Sequence, residues 1–129
     1  MADLFMLFAL LAVFQLKHFV ADFPLQGTYM LGKFKPGWDF LGPLAAHAGV
    51  HGATTTAIAL AVSPQFWWLG LFDAVVHFSM DRVKAGPKYL GRWKPDNKYF
   101  WWSLGLDQMV HHMTHYVCML EGCPGRVTC

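Results

Sequence analysis

Four apolar stretches of roughly 18 to 22 residues, at about 4–23, 43–62, 65–83 and 99–120, each carry a pair of metal-capable side chains four residues apart. The pairs are His18 and Asp22, His47 and His51, His77 and Asp81, and Asp107 and His111. In a helix, positions i and i+4 share one face, a turn apart. An ionisable group on an apolar helix that finds no polar partner costs on the order of 2.5–3.5 kcal/mol on membrane-insertion scales. Four helices with such faces hide them by packing those faces together. The expected fold is therefore all-α, a four-helix bundle around one shared polar interior.

The same stretches have the length needed to cross a bilayer. A chain of 129 residues makes one domain. Residues of the apolar group supply 55% of it and charged residues 14%, with a mean hydropathy of +0.31. Soluble domains carry about a quarter charged residues, so the bundle is expected to be transmembrane. Breaks fall at Pro24, at Ser63-Pro64, and at Gly122 and Pro124. The first stretch has no Lys or Arg ahead of it and no small-residue cleavage site after it, so it is read as a retained helix.

Lys and Arg set the orientation. Lys33 and Lys35 lie between the first and second stretches, with Lys17 near the end of the first. Arg82, Lys84, Lys88, Arg92, Lys94 and Lys98 lie at or between the third and fourth, whereas residues 63–65 have none and the tail has Arg126 alone. The positive-inside rule then places both long connections in the cytoplasm and both termini outside, an N-out/C-out arrangement. Trp67 and Trp68 would anchor the outer interface, and Trp93, Trp101 and Trp102 the inner one. Cys118, Cys123 and Cys129 cluster at the outer end, where Cys123 and Cys129 are either bridged or free thiols. With this topology all four pairs fall in one slab of the inner half of the membrane. The spacing rule alone does not require that coincidence.

Five His and three Asp offer imidazole nitrogen and carboxylate oxygen without thiolate, a set suited to Zn, Fe or Mn. Eight candidates exceed what one tetrahedral ion needs, which points to a dinuclear site or to one ion with outer hydrogen-bonding partners. Gln26 and Gln108 are further polar candidates, and His115 lies one turn beyond His111 on its face, whereas His112 points about 100° away and reads as a lipid-interface or helix-contact residue. Asp73 reads as a residue paired with a neighbour. A metal-free polar or proton-conducting network and haem ligation by two His are the alternatives.

The ordered set His18-x3-Asp22-Phe23-x-Leu25-Gln26, His47-x3-His51, His77-x3-Asp81 and Asp107-Gln108-x2-His111 resembles the signature of an uncharacterised family. That family comprises small bacterial and phage integral membrane proteins catalogued as a domain of unknown function. The resemblance spans roughly residues 5–117 and implies a fold and a site, with a multi-pass protein of the bacterial inner membrane. A weaker similarity is to membrane-bound metal-dependent hydrolases.

The expected function is metal-dependent hydrolysis of a lipid or phosphoester at the cytoplasmic leaflet, with Asp22 or Asp107 as general base. The competing expectation is a non-catalytic membrane subunit that handles ions, protons or metal within a larger complex. The basic connection would serve anionic lipid or a phosphate group through Arg82, Lys84, Lys88 and Arg92, or would serve topology alone. The segment from Pro24 to Gly42 would cap the site. A chain this small with short connections suits a homo-oligomer or a larger membrane complex. A net charge of +2 gives no basis for a nucleic-acid partner.

Overall fold

The computed structural model describes residues 2–122, with side chains from residue 4, and among these it has four α-helices and no strand. They are α1 (Ala2–Asp22), α2 (Leu41–Val62), α3 (Leu69–Ala85) and α4 (Lys98–Gly122). Short 3-10 turns at Met30–Phe34, Pro64–Phe66 and Leu90–Arg92 join them. α1 packs on α2 and α4, and α3 on α2 and α4, so neighbours in sequence are neighbours around the bundle. The expected Cys123–Cys129 bridge and the Arg126 tail lie outside the described residues, and Cys118 is a buried free thiol.

The first two helices stop just before the backbone loses a donor. α1 ends at Asp22, two residues before Pro24, and α2 at Val62, two before Pro64. The residue preceding a proline is pushed out of the helical region, and the proline itself lacks an N–H. Pro43 sits inside the first turn of α2, where the missing donor costs nothing. Asn97 opens α4: its side-chain oxygen accepts from the Tyr99 N–H at 2.9 Å.

The third helix corrects an expected boundary. It starts at Leu69 rather than near residue 65, because Pro64 opens a 3-10 turn and residues 63–68 are spent reversing the chain. Its 17 residues span about 26 Å at 1.5 Å per residue. The expectation of four membrane-spanning helices is met in part: four helices form, but a four-span bundle does not follow from their length and composition. Among the described residues only the stretch Leu4–Asp22 is long and apolar enough to cross a membrane by length and composition. α3 has 17 residues and carries Asp73, His77 and Asp81, and the other two helices are diluted by their polar residues, two His and three Thr in α2, Asp107 and three His in α4.

The burial pattern is inverted relative to a water-soluble bundle. The side chains sealed most completely include His47, His51, His77, His111, His115, Asp73 and Asp107. Phe5, Phe8, Leu16, Leu71 and Trp102 stand outside, each more than 60% or close to it exposed. An apolar core does exist, of Leu10, Phe14, Leu69, Cys118 and Met119, at the end where α1 and α3 begin and α2 and α4 end. The polar residues fill the opposite end, where the turn Met30–Phe34 packs on α2 and α3.

Candidate metal centre

All eight paired side chains converge. Three groups, the first two sharing His51, each have ligand atoms within 4.8 Å of one another: His18, His51 and His77; Asp22, His47 and His51; Asp81, Asp107 and His111. In the second group, Asp22 Oδ1 lies 3.0 Å from His51 Nε2 and 3.5 Å from His47 Nε2. In the third, His111 Nε2 lies 3.1 Å from Asp107 Oδ1 and 3.3 Å from Asp81 Oδ1. His47 Nε2 joins the two, 3.3 Å from Asp81 Oδ2. His18 Nε2 lies 3.0 Å from Asp22 Oδ2.

Those separations fit donors arranged around a cation. Ligand atoms about 2.1 Å from an ion stand about 3.0 to 3.4 Å apart for octahedral and tetrahedral angles respectively. His111 Nε2 lies within hydrogen-bond reach of carboxylate oxygens from two helices, Asp81 on α3 and Asp107 on α4. The stacked rings of His51, His77 and His111, with centroids 3.6 and 3.9 Å apart, leave no slot between them for a porphyrin.

The electrostatics rest on groups that arrive from outside the four pairs. Lys33, from the turn Met30–Phe34, donates to Asp81 Oδ2 at 2.7 Å. Lys84 donates to Asp107 Oδ2 at 2.6 Å, and Gln108 to the same oxygen at 3.2 Å. The Oδ1 atoms of both carboxylates are left facing His111. Lys17 donates to Asp73 Oδ2 at 2.6 Å and lies 3.3 Å from His51 Nδ1. Four carboxylates against three ammonium groups leave one net negative charge when the imidazoles are neutral. Such an interior attracts a cation.

Asp73 behaves as expected, paired with neighbours: besides Lys17 it accepts from Thr55 at 2.5 Å and lies 2.9 Å from His77 Nδ1. This contact directs Nδ1–H toward the carboxylate and leaves His77 Nε2 without a partner among the described residues. A carboxylate behind an imidazole is the usual device for fixing a ligand tautomer. His115 is buried against Phe14, and His112 makes a helix contact, one of the two roles expected of it, with its ring 5.6 Å from that of His18. Gln26 is half-buried just past the end of α1.

The two candidate bases differ in access. The Asp22 side chain is 21% exposed, the Asp107 side chain 1%. Solvent therefore reaches the cluster beside Asp22.

The reading of Lys17, Lys33 and Lys84 as loop and interface charges is corrected: Lys17 and Lys33 are buried residues of the polar interior, and Lys84 turns inward to Asp107. Lys17 has a legible signal, since it falls on the buried stripe Leu10, Phe14, His18 and Ala21 of α1. Lys33 has none, because it sits in a connection.

A family model described as Protein of unknown function (DUF3307) matches residues 10–121. Comparison with curated proteins and with solved structures finds no match, so the resemblance to membrane-bound hydrolases has no counterpart there. The matched span holds all four pairs together with Lys17, Lys33, Asp73 and Lys84. The chain belongs to the family of proteins of unknown function DUF3307.

Proposed function

We propose that this protein is a membrane-embedded, metal-dependent hydrolase that acts on an ester or phosphoester at the cytoplasmic leaflet. The observation that carries this reading is the pair of adjoining carboxylate–imidazole sets, Asp22/His47/His51 and Asp81/Asp107/His111, with donor atoms at cation spacing inside a buried interior. Membrane embedding is supported by α1 and by the outward-facing Phe, Leu and Trp side chains, which in water would be an exposed apolar surface of unusual extent.

The mixed nitrogen and oxygen donors suit Zn, Fe or Mn. An ion held there supplies Lewis acidity and an acidified water. The chain's own residues do the rest. Lys33 and Lys84 hold Asp81 and Asp107 by one oxygen each, which aims the other inward. Asp22, the carboxylate with access to solvent, takes the proton from the attacking water.

Elemental analysis of the purified, detergent-solubilised protein tests this reading. About one or two equivalents of a transition metal are expected, and alanine at His51, Asp81 or His111 should each lower metal affinity by at least about 10–100-fold. Asp22→Asn should stay folded and, with metal in excess to refill the weakened Asp22/His47/His51 set, still lose about 10²–10⁴-fold in turnover of a phosphoester. A wild-type protein that binds no metal refutes the reading.

The second reading is a non-catalytic subunit that handles ions or protons. What favours it is the branch Asp73–Lys17–His51, which extends the polar interior away from the solvent-facing side of Asp22. Stoichiometric metal without turnover of any ester would move the balance to it.

A further inference from the structure

A cleft at the cytoplasmic end of α3 is built around a guanidinium with an unused donor. It measures about 390 Å³, within the range of small-molecule sites, and Trp38, Phe40, Pro87 and Tyr89 wall it with Arg82 and Lys88. The Arg82 guanidinium lies 3.5 Å from the centroid of the Phe40 ring. That stacking fixes its plane and leaves its N–H groups to bond along the edge. Nη1 of Arg82 is buried and has no hydrogen-bond partner among the described residues. A buried donor without an acceptor costs about 1–3 kcal/mol, more for a charged group. No acidic side chain lines the cleft to satisfy it.

We infer that this cleft binds a phosphate group carried on an apolar or aromatic-compatible body. Arg82 meets the oxygens through the part of its guanidinium that lines the cleft, and the buried Nη1 becomes available on a small shift of that half-buried side chain; Lys88 adds a second charge from the rim, and the aromatic wall takes the body of the molecule. Of the four basic residues expected to meet an anion, these two line the cleft. Lys84 is bound to Asp107, and Arg92 lies over Trp93 at 4.8 Å. Arg82 directly follows Asp81 in α3, so the cleft adjoins the cluster in sequence. The inference deepens the reading above by naming a phosphate ester as substrate class, and for that step alone it rests on the metal centre.

Binding is tested on the full chain in detergent by calorimetry with inorganic phosphate. A second arm uses mixed micelles of phosphatidic acid, with phosphatidylcholine micelles as reference. Arg82→Gln should weaken binding about tenfold or more and Lys88→Gln by several-fold, from loss of charge-assisted hydrogen bonds. Arg92→Gln should bind as wild type. Phosphate binding lost in the variants supports the site and assigns it to the free ion. Binding of phosphatidic acid alone, lost in the same variants, supports it and assigns a lipid headgroup. No binding of either probe overturns the inference, as does equal binding by wild type and both variants. Lys88→Gln removes no stacking contact, so if Arg82→Gln fails to fold, unchanged binding by Lys88→Gln still overturns it. Metal content measured on the same samples separates the two proposals: a metal-free protein that binds phosphate sinks only the hydrolase reading.

Discussion

The ion pair between Lys17 and Asp73 offers the sharpest test of the polar interior. Asp73 is fully buried and accepts from Lys17 at 2.6 Å and Thr55 at 2.5 Å, with His77 Nδ1 at 2.9 Å. Asp73→Asn keeps the shape and leaves an acceptor for His77 and a donor for the Thr55 oxygen. What it removes is the charge that compensates a buried ammonium. Breaking a buried pair by deleting one partner costs about 3–5 kcal/mol, mostly the penalty of the charge left behind. Lys17→Met, which strands the carboxylate, should cost a similar amount. The double variant Lys17→Met/Asp73→Asn strands neither charge, so it should fall within about 2 kcal/mol of wild type and be far more stable than the sum of the singles. Unfolding by SDS in mild detergent, followed by far-ultraviolet circular dichroism, gives the four corners of the cycle. Additive losses, or a cost below about 1 kcal/mol for Asp73→Asn alone, would refute the reasoning, because an uncompensated buried charge cannot be that cheap.

Two further expectations concern packing and topology. A Cβ on Gly52 would sit 2.8 Å from the Gly70 carbonyl oxygen on α3, whereas one on Gly49 meets nothing within 4 Å. Gly52→Ala should therefore destabilise by about 1–3 kcal/mol, and Gly49→Ala should stabilise by up to about 1 kcal/mol through helix propensity; midpoints shifting the same way in the SDS titration would contradict the α2–α3 contact. For topology, a reporter fused after Cys129 should read as periplasmic and one inserted near Gly91 as cytoplasmic. Both on one side would rule out four crossings.

What the sequence made legible and what it hid divide along the reach of side chains. The helix ends at Pro24 and Pro64 could be read because proline acts on its immediate neighbours, and the start of α3 was misplaced because the cost of a reversal is shared over residues 63–68. The four pairs could be read because i and i+4 is a local relation, and their convergence follows from hiding four polar faces in one bundle. Their counter-charges were hidden. Asp73 finds Lys17 across 56 positions and Asp81 finds Lys33 across 48. A lysine carries its charge on a flexible four-carbon stem, so its backbone position says little about where the ammonium settles. Each of these lysines lies near a helix end or in a connection, where the positive-inside rule already accounts for it. The balance of charge is what exposes them. An interior with four carboxylates, three of them sealed from water, must import nearly as many cations, and every basic residue within a side chain's reach of that interior is a candidate before it is counted toward topology. In this chain Lys17, Lys33 and Lys84 turn inward, and Lys35, Lys88, Lys94 and Lys98, with Arg82 and Arg92, are left for the positive-inside rule to count.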